Sequence, residues 1–457
     1  MDDLSATPDA PADLVIDGCA VVTVDAAGTE YADGWVTVRG NRIEAVGSGP
    51  APPALRRLDG RGCLLTPGLV NTHHHLYQWI TRGLAADDTL FEWLTTLYPV
   101  WSRIDEKSVG IAATGALVSL ARTGCTTTAD HHYVFPRGGG DLLAAEIGAA
   151  AEVGLRFHPT RGSMDLGRSQ GGLPPDEVVE SLDAILAASE QAVRAWHDPG
   201  FDAMVRVGLA PCSPFSVTAD LMRESAALAR ELGVRLHTHL AETLDEQEYC
   251  LETFGCTPAQ YMEQLGWTGP DVWYAHAVHL DDEAVAGLAR TGTGVAHCPT
   301  SNGRLGAGIA RTADLVAAGV PVGLGVDGAA SNESSSMIEE PRNALLYARA
   351  AGGPRAMTVR GALELATMGG ARVLGRAAEI GSIEPGKLAD LALWRLDTAA
   401  HAGIADPVVA LVLGAAPPLA ALLVDGREVV RDGILRTVDE PAVGAAVAAA
   451  QAELVRG

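Results

Sequence analysis

Between residues 68 and 331 the chain repeats one pattern eight times. Short runs rich in β-branched and apolar residues end in polar groups, and Ala/Leu-rich stretches of helical period separate them. The runs are GLVNTHHH (68–75), GCTTTADHHY (124–133), GLRFHPTRG (154–162), MVRVGLAPCS (204–213), GVRLHTHLAE (233–242), DVWYAHAVHL (271–280), GTGVAHCPTSN (292–302) and VPVGLGVDGAAS (320–331). Strands that alternate with helices pair in parallel, and eight such units close into a (β/α)8 barrel. Flanking segments differ. Residues 13–48 read as short strands broken by DG, AAG and RGN turns, and residues 381–394 and 421–433 are again strand-like. Both chain ends therefore build one small β-sandwich domain, over residues 1–66 and 379–457, with the barrel at 67–378 inserted between them.

Histidine placement follows the strands. Of thirteen histidines, all but His197 and His401 fall on or just after the C-terminal end of an expected barrel strand. Active sites of such barrels are built at that end. Residues two apart on a strand face the same side, so His73 and His75 both point to the barrel axis while His74 points away. One histidine alone is an ordinary core group hydrogen-bonded to backbone. An HxH pair at a strand end, followed by His237-x-His239, His276, His279 and Asp327 at later strand ends, is a metal site. Three imidazoles and a carboxylate suit Zn²⁺ or Fe²⁺ with a position open for water.

Composition excludes other classes. The net charge is −24, which disfavours nucleic-acid backbones and anionic membrane surfaces. No apolar run is long enough to span a bilayer, and the start, MDDLSATPDAPADLVIDG, lacks the basic and apolar regions of a secretory signal. Seven irregularly spaced cysteines make no disulfide framework. A soluble, cytoplasmic protein acting on a small molecule is expected.

PGLVNTHHH, HTHLAET, AHAVHL and LGVDGAASN resemble the amidohydrolase superfamily, and its deaminase and triazine-hydrolase branch most. The resemblance covers nearly the whole chain. It implies that His73, His75, His239 and Asp327 hold the metal and that Glu242, His276 and Asp327 carry protons. His237 is left as a supporting residue, with His279 beside it. Some members of the superfamily hold two metals on a carboxylated lysine from the fourth strand. This chain has only Lys107 and Lys387, neither on that strand, so one Zn²⁺ per chain is expected, with Fe²⁺ as the alternative. Zinc lowers the pKa of its water to roughly 7. LFEWLTTLYPVW, TADHHYVFP, FHPTRGSMDLG and APCSPFSV resemble the members acting on 8-oxoguanine. That implies hydrolytic deamination of an aminated purine-like ring, 8-oxoguanine first, to urate and ammonia. Pterin or guanine deamination and s-triazine hydrolysis are the alternatives, and a catalytically dead binding barrel is the reading from another class. Gln78, Trp101, Arg161 and Cys212 are candidate substrate contacts, and the resemblance implies a homodimer.

Overall fold

The computed structural model describes residues 10–456; the acidic first nine residues lie outside it. Five strands come first: β1 (Ala12–Val22), β2 (Glu30–Arg39), β3 (Arg42–Ser48), β4 (Ala54–Asp59) and β5 (Cys63–Pro67). The barrel region follows, with β6 (Leu69–Asn71), β7 (His74–His75), β8 (Cys125–His132), β9 (Arg156–Ser163), β10 (Gly208–Pro211), β11 (Leu236–Leu240), β12 (Val272–His276), β13 (Gly294–His297), β14 (Val322–Leu324) and β15 (Asp327–Gly328). The chain ends with β16 (Leu391–Arg395), β17 (Leu419–Val424), β18 (Arg427–Arg431), β19 (Ile434–Leu435) and the helix Glu440–Arg456. Among the described residues no helix is long and apolar enough to cross a membrane.

Eight parallel strands close the barrel in the order β10, β11, β12, β13, β14, β6, β8, β9. Strands such as β11 (LHTHL) and β12 (VWYAH) are buried along their whole length, because one face meets the axis and the other the helix layer. The helices Glu106–Arg122, Leu142–Val153 and Ala219–Leu232 belong to that layer. Closure joins the first and last strands. Leu324 of β14 pairs with Asn71 of β6, and β15 extends the contact by pairing with β7, Asp327 opposite His74. The buried Asn71 side chain holds this seam, donating to Thr128 Oγ1 at 3.0 Å and accepting from the Val326 N–H at 3.0 Å.

Strands from both chain ends form the second region, as the flanking segments indicate. In hydrogen-bonding terms the expected sandwich is one nine-stranded sheet. β1 is bulged and pairs with β4 along its first half and β5 along its second. Leu14, Val36 and Ile43 from one chain end and Leu391, Leu393 and Leu423 from the other share one apolar cluster. Gly124, just before β8, lets the Trp394 ring of β16 lie against the barrel. Its φ is +87°, and a Cβ there would collide with that ring.

Outside the barrel axis, Asp130 and His132 of β8 face Glu146 of the helix Leu142–Val153, all fully buried. Nε2–H of His132 donates to the Val134 carbonyl at 2.8 Å, and burial lowers this imidazole to about 4. The neutral ring then accepts at Nδ1, 2.7 Å from Glu146 Oε1, so Glu146 keeps its proton and donates it. Burial raises Glu146 from 4.5 to about 8.

Two outcomes are expected. Gly124→Ala lowers stability by more than about 1 kcal/mol in urea unfolding, since alanine meets both positive φ and the Trp394 ring. Glu146 is protonated when folded up to about pH 8 but ionises near 4.5 when unfolded. Its stabilisation is complete below the lower value and is lost as pH rises through the upper. Thermal unfolding from about pH 5 to 8 should therefore show a falling Tm, and Glu146→Gln, whose amide still donates to His132, should flatten part of that fall.

Candidate active site

Barrel closure brings the donor groups to one point. His73 Nε2 lies 3.2 Å from Asp327 Oδ1, and His75 Nε2 lies 3.3 Å from the same oxygen. β11 adds His239, whose Nε2 is 3.1 Å from His75 Nε2. Every group is buried. Ser301 and Ser331 hydroxyls donate to Asp327 Oδ2 at 2.6 and 3.0 Å and so fix the carboxylate, with Oδ1 left toward the imidazoles.

Partner chemistry sets each tautomer. His75 Nδ1–H donates to the His131 carbonyl at 2.6 Å, and His239 Nδ1–H donates to the Cys212 carbonyl at 2.7 Å. Carbonyls only accept, so both neutral rings present an Nε2 lone pair. His73 is set through a longer chain. His237 donates Nδ1–H to the Trp273 carbonyl at 2.9 Å and stacks on that indole at 4.3 Å. Burial lowers His237 to about 3, so its Nε2 accepts from His73 Nδ1–H at 2.8 Å. The Nε2 of His73 is then a buried lone pair without a hydrogen-bond partner. Three imidazole lone pairs and a carboxylate oxygen within hydrogen-bond distance repel each other in the absence of a cation. That donor set fits one divalent metal.

Two carboxyl groups with opposite proton affinities face this centre. Burial favours a neutral Asp327, but positive charge shared with His73 and His75, and that of the neighbouring His276, outweighs it and holds the carboxylate well below the usual range. Burial raises Glu242 to about 7, against the pull of His276. Glu242 Oε2 is 3.6 Å from His276 Nε2, and its Oε1 has no partner. His276 Nδ1–H is committed to Asn302 Oδ1 at 2.9 Å, which turns Nε2 toward Glu242. Burial opposes charge on this ring, yet the Glu242 and Asp327 carboxylates raise its pKa overall. Glu246 supports Glu242 from below, accepting the N–H groups of Ala241 at 2.8 Å and Glu242 at 3.0 Å.

The cavity over the centre is lined by His75, Tyr133, Cys212, Glu242, His276 and Asp327 and roofed by Leu90, Trp93, Leu94 and Tyr98. Those four lie on one face of the helix Leu90–Trp101, which starts at a Thr89/Glu92 capping box. Of the expected substrate contacts only Cys212 lines this cavity, and burial pushes its thiol up to about 12, so it is a neutral neighbour. Trp101 ends the same helix and lies beyond the cavity, sheathed by Tyr77, Trp93 and Tyr98, with Nε1–H on Thr81. Arg161 is tied to Glu180 at 2.8 Å and lies over the Phe135 ring. Gln78 is buried against the Gly328 backbone. These three pack around the site rather than onto its cavity. His279 donates to the Ala307 carbonyl at 2.7 Å and touches no donor of the centre. His74, buried, accepts the His75 N–H at its own Nδ1 and stays out of the cluster.

Other groups were not singled out by sequence. His131, stacked on His239 at 4.7 Å, stands within reach of His73, with Nδ1 unpartnered. Its position in TADHHY was the available signal. Ser301, Ser331, Asn302 and Glu246 carry no pattern of their own. Both lysines are remote: Lys107 pairs with Glu453, and Lys387 bonds Ala377 and Ser382.

Comparison with known proteins agrees with this geometry. Residues 64–430 match the Amidohydrolase family. The chain is 46% identical to an 8-oxoguanine deaminase from Pseudomonas aeruginosa, covering 94% of this chain and 97% of that one. It is 39% identical to an isoxanthopterin deaminase from an unknown prokaryotic organism, over 92% of each. An atrazine chlorohydrolase from Arthrobacter aurescens, complexed with zinc, superposes with a TM-score of 0.92 at 32% identity, over 96% of this chain and 100% of that one. The chain belongs to the amidohydrolase family.

Proposed function

We propose that this protein hydrolyses the exocyclic carbon–nitrogen bond of an aminated purine-like heterocycle, with 8-oxoguanine and water giving urate and ammonia. The observation that carries the reading is the pairing in one cavity of Glu242, raised by burial to about 7, with Asp327, held well below the usual range beside three imidazoles. Carboxyl groups driven apart in this way divide acid and base duties. Likeness to the 8-oxoguanine deaminase over nearly both chains supports the ring. The isoxanthopterin deaminase makes the pterin the second reading.

His73, His75, His239 and Asp327 are assigned as the holders of one zinc ion, supported by their donor chemistry and by zinc in the chlorohydrolase. A divalent ion there supplies the positive charge that lets a water ionise near neutral pH. Every other part of the work falls to the protein. Asp327, held by two serine hydroxyls, receives the water's proton. Glu242 presents its free Oε1 to a ring nitrogen and protonates it as the attacked carbon becomes tetrahedral. His276 exchanges a proton through Nε2, the nitrogen not committed to Asn302. The proton taken by Asp327 passes to the departing amine, which leaves as ammonia, and the added hydroxyl gives its proton to Glu242 as the carbonyl forms. The roof of Leu90, Trp93, Leu94 and Tyr98 covers the planar ring and excludes bulk water.

Ammonia release from 8-oxoguanine, guanine, isoxanthopterin, adenine, cytosine and an amino-s-triazine tests the assignment. Fastest turnover is expected with 8-oxoguanine; preference for another ring would overturn the substrate and keep the chemistry. Glu242→Gln should lower kcat by about 10²–10⁴-fold with metal content unchanged. His237→Phe keeps the stack on Trp273 and removes the acceptor for His73. Metal affinity should fall roughly 10–100-fold, read by competition with a chelator, with the circular dichroism spectrum unaltered.

A further inference from the structure

At the other end of the barrel, where β9 to β12 begin, a second cavity of about 270 Å³ is lined by His158, His197, Arg206, Arg235, Trp273 and Gly375. His158 belongs here rather than at the catalytic end where the strand pattern put it, because β9 starts at Arg156 and runs to Ser163. The cavity is cationic in a chain of net charge −24. Arg206 and Arg235 line it, and Arg376 stands directly behind, Nη1 3.5 Å from His158 Nε2. One carboxylate, Glu379, serves both Arg206 at 2.8 Å and Arg376. Asp271, the acid nearest Arg235, is taken by Arg230 at 2.9 Å. Arg206 and Arg376 therefore share one carboxylate, and among the described residues Arg235 forms no ion pair.

Arg376 is fully bonded and Arg206 Nη2 donates to the Gly200 carbonyl and Glu379, but donors of the two lining arginines remain underused. Arg235 gives one hydrogen bond, Nη2–H to the Val373 carbonyl at 2.7 Å. Among the described residues the buried Nε–H groups of both Arg206 and Arg235 have no partner. Buried donors are normally satisfied, and a guanidinium fork matches the oxygens of phosphate or carboxylate. His158 and His197 stay neutral through burial and adjacent arginines, and add polarity without charge. Drug-sized ligands occupy clefts of roughly 300–1,000 Å³, so this volume suits a smaller one. We propose that this cavity is a binding site for a small oxyanion, a phosphate or carboxylate group, held between Arg206 and Arg235 and separate from the catalytic centre.

Calorimetric titration of the metal-loaded enzyme with inorganic phosphate, and separately with malonate at matched ionic strength, tests this. Binding at one site per chain is expected, weakened at least tenfold in Arg235→Gln, whose ammonia release without added anion stays at the wild-type rate. Tighter binding of phosphate identifies a phosphorylated ligand, and of malonate a carboxylate. No heat from either anion, or equal affinity in the variant, overturns the site. Crystals of the unaltered enzyme soaked in selenate decide independently of how the variant folds. An anomalous peak between Arg206 and Arg235 supports the proposal, and one confined to the catalytic cavity defeats it.

Discussion

Pairing of the last barrel strand with the first is the interaction on which the site depends. β15 lies beside β7, so residues some 250 positions apart in sequence, Asp327 and the HxH pair, become cross-strand neighbours. The seam is short, and Asn71 reinforces it from inside. Strain is concentrated at the same place. Ala241, His276 and Asp327 have φ of +50°, +70° and +63°. Such conformations cost of order 1–3 kcal/mol each in non-glycine residues and persist only where the surroundings over-determine them. Here the parallel ladders arrive from one side and the Ser301, Asn302 and Glu246 contacts from the other. The backbone turns inward at the strand ends, and the side chains meet over the axis.

A second constraint is where protons are allowed to be. The centre is defined less by its nitrogens than by what their far sides touch. Backbone carbonyls of residues 131 and 212, and of residue 273 through His237, occupy the donors, and the lone pairs follow. The same logic separates the carboxyl groups. Asp327 is held low by the imidazoles around it; Glu242 is raised to about 7 by burial, with one oxygen left without a partner. Glu246 spends its oxygens on backbone N–H groups, which fixes the turn that aims Glu242.

Much of this was legible in the chain. The repeated alternation specifies a parallel barrel, since few other arrangements bury strands on both faces. The HxH spacing specifies side-chain direction because strand periodicity is strict. Direction ceases to be legible outside strands. Trp101 shares a helix with four residues that line the cavity, but as its last residue it falls beyond the cavity, and where that helix lies over the barrel is set by tertiary packing. Arg161 and Gln78 lie near the right strand ends, but Glu180 and the Gly328 backbone claim them. His158 was misplaced because it lies inside its run and not at its end: β9 starts at Arg156, two residues before it, and continues to Ser163. Glu246 sits in the acidic stretch LDEQE, where nothing in the sequence marks it out; only the fold shows that it is buried beneath Glu242.

The division between strand ends and roof has a consequence for specificity. The residues proposed to hold the metal and carry protons sit on or just beyond strands whose ladders fix them. The roof helix Leu90–Trp101 hangs between β7 and β8, and Trp93 ties it back by an Nε1–H bond of 3.0 Å to the Ala330 carbonyl, three residues past Asp327. Its cavity face is apolar and aromatic, suited to any flat ring. Discrimination between rings must then come from the few polar atoms of the lining, Ser213 among them, and from the depth the roof permits. Chemistry and selectivity are thus held by different elements joined at one turn, so the ring can change through the roof while the metal donors and the proton path keep their geometry.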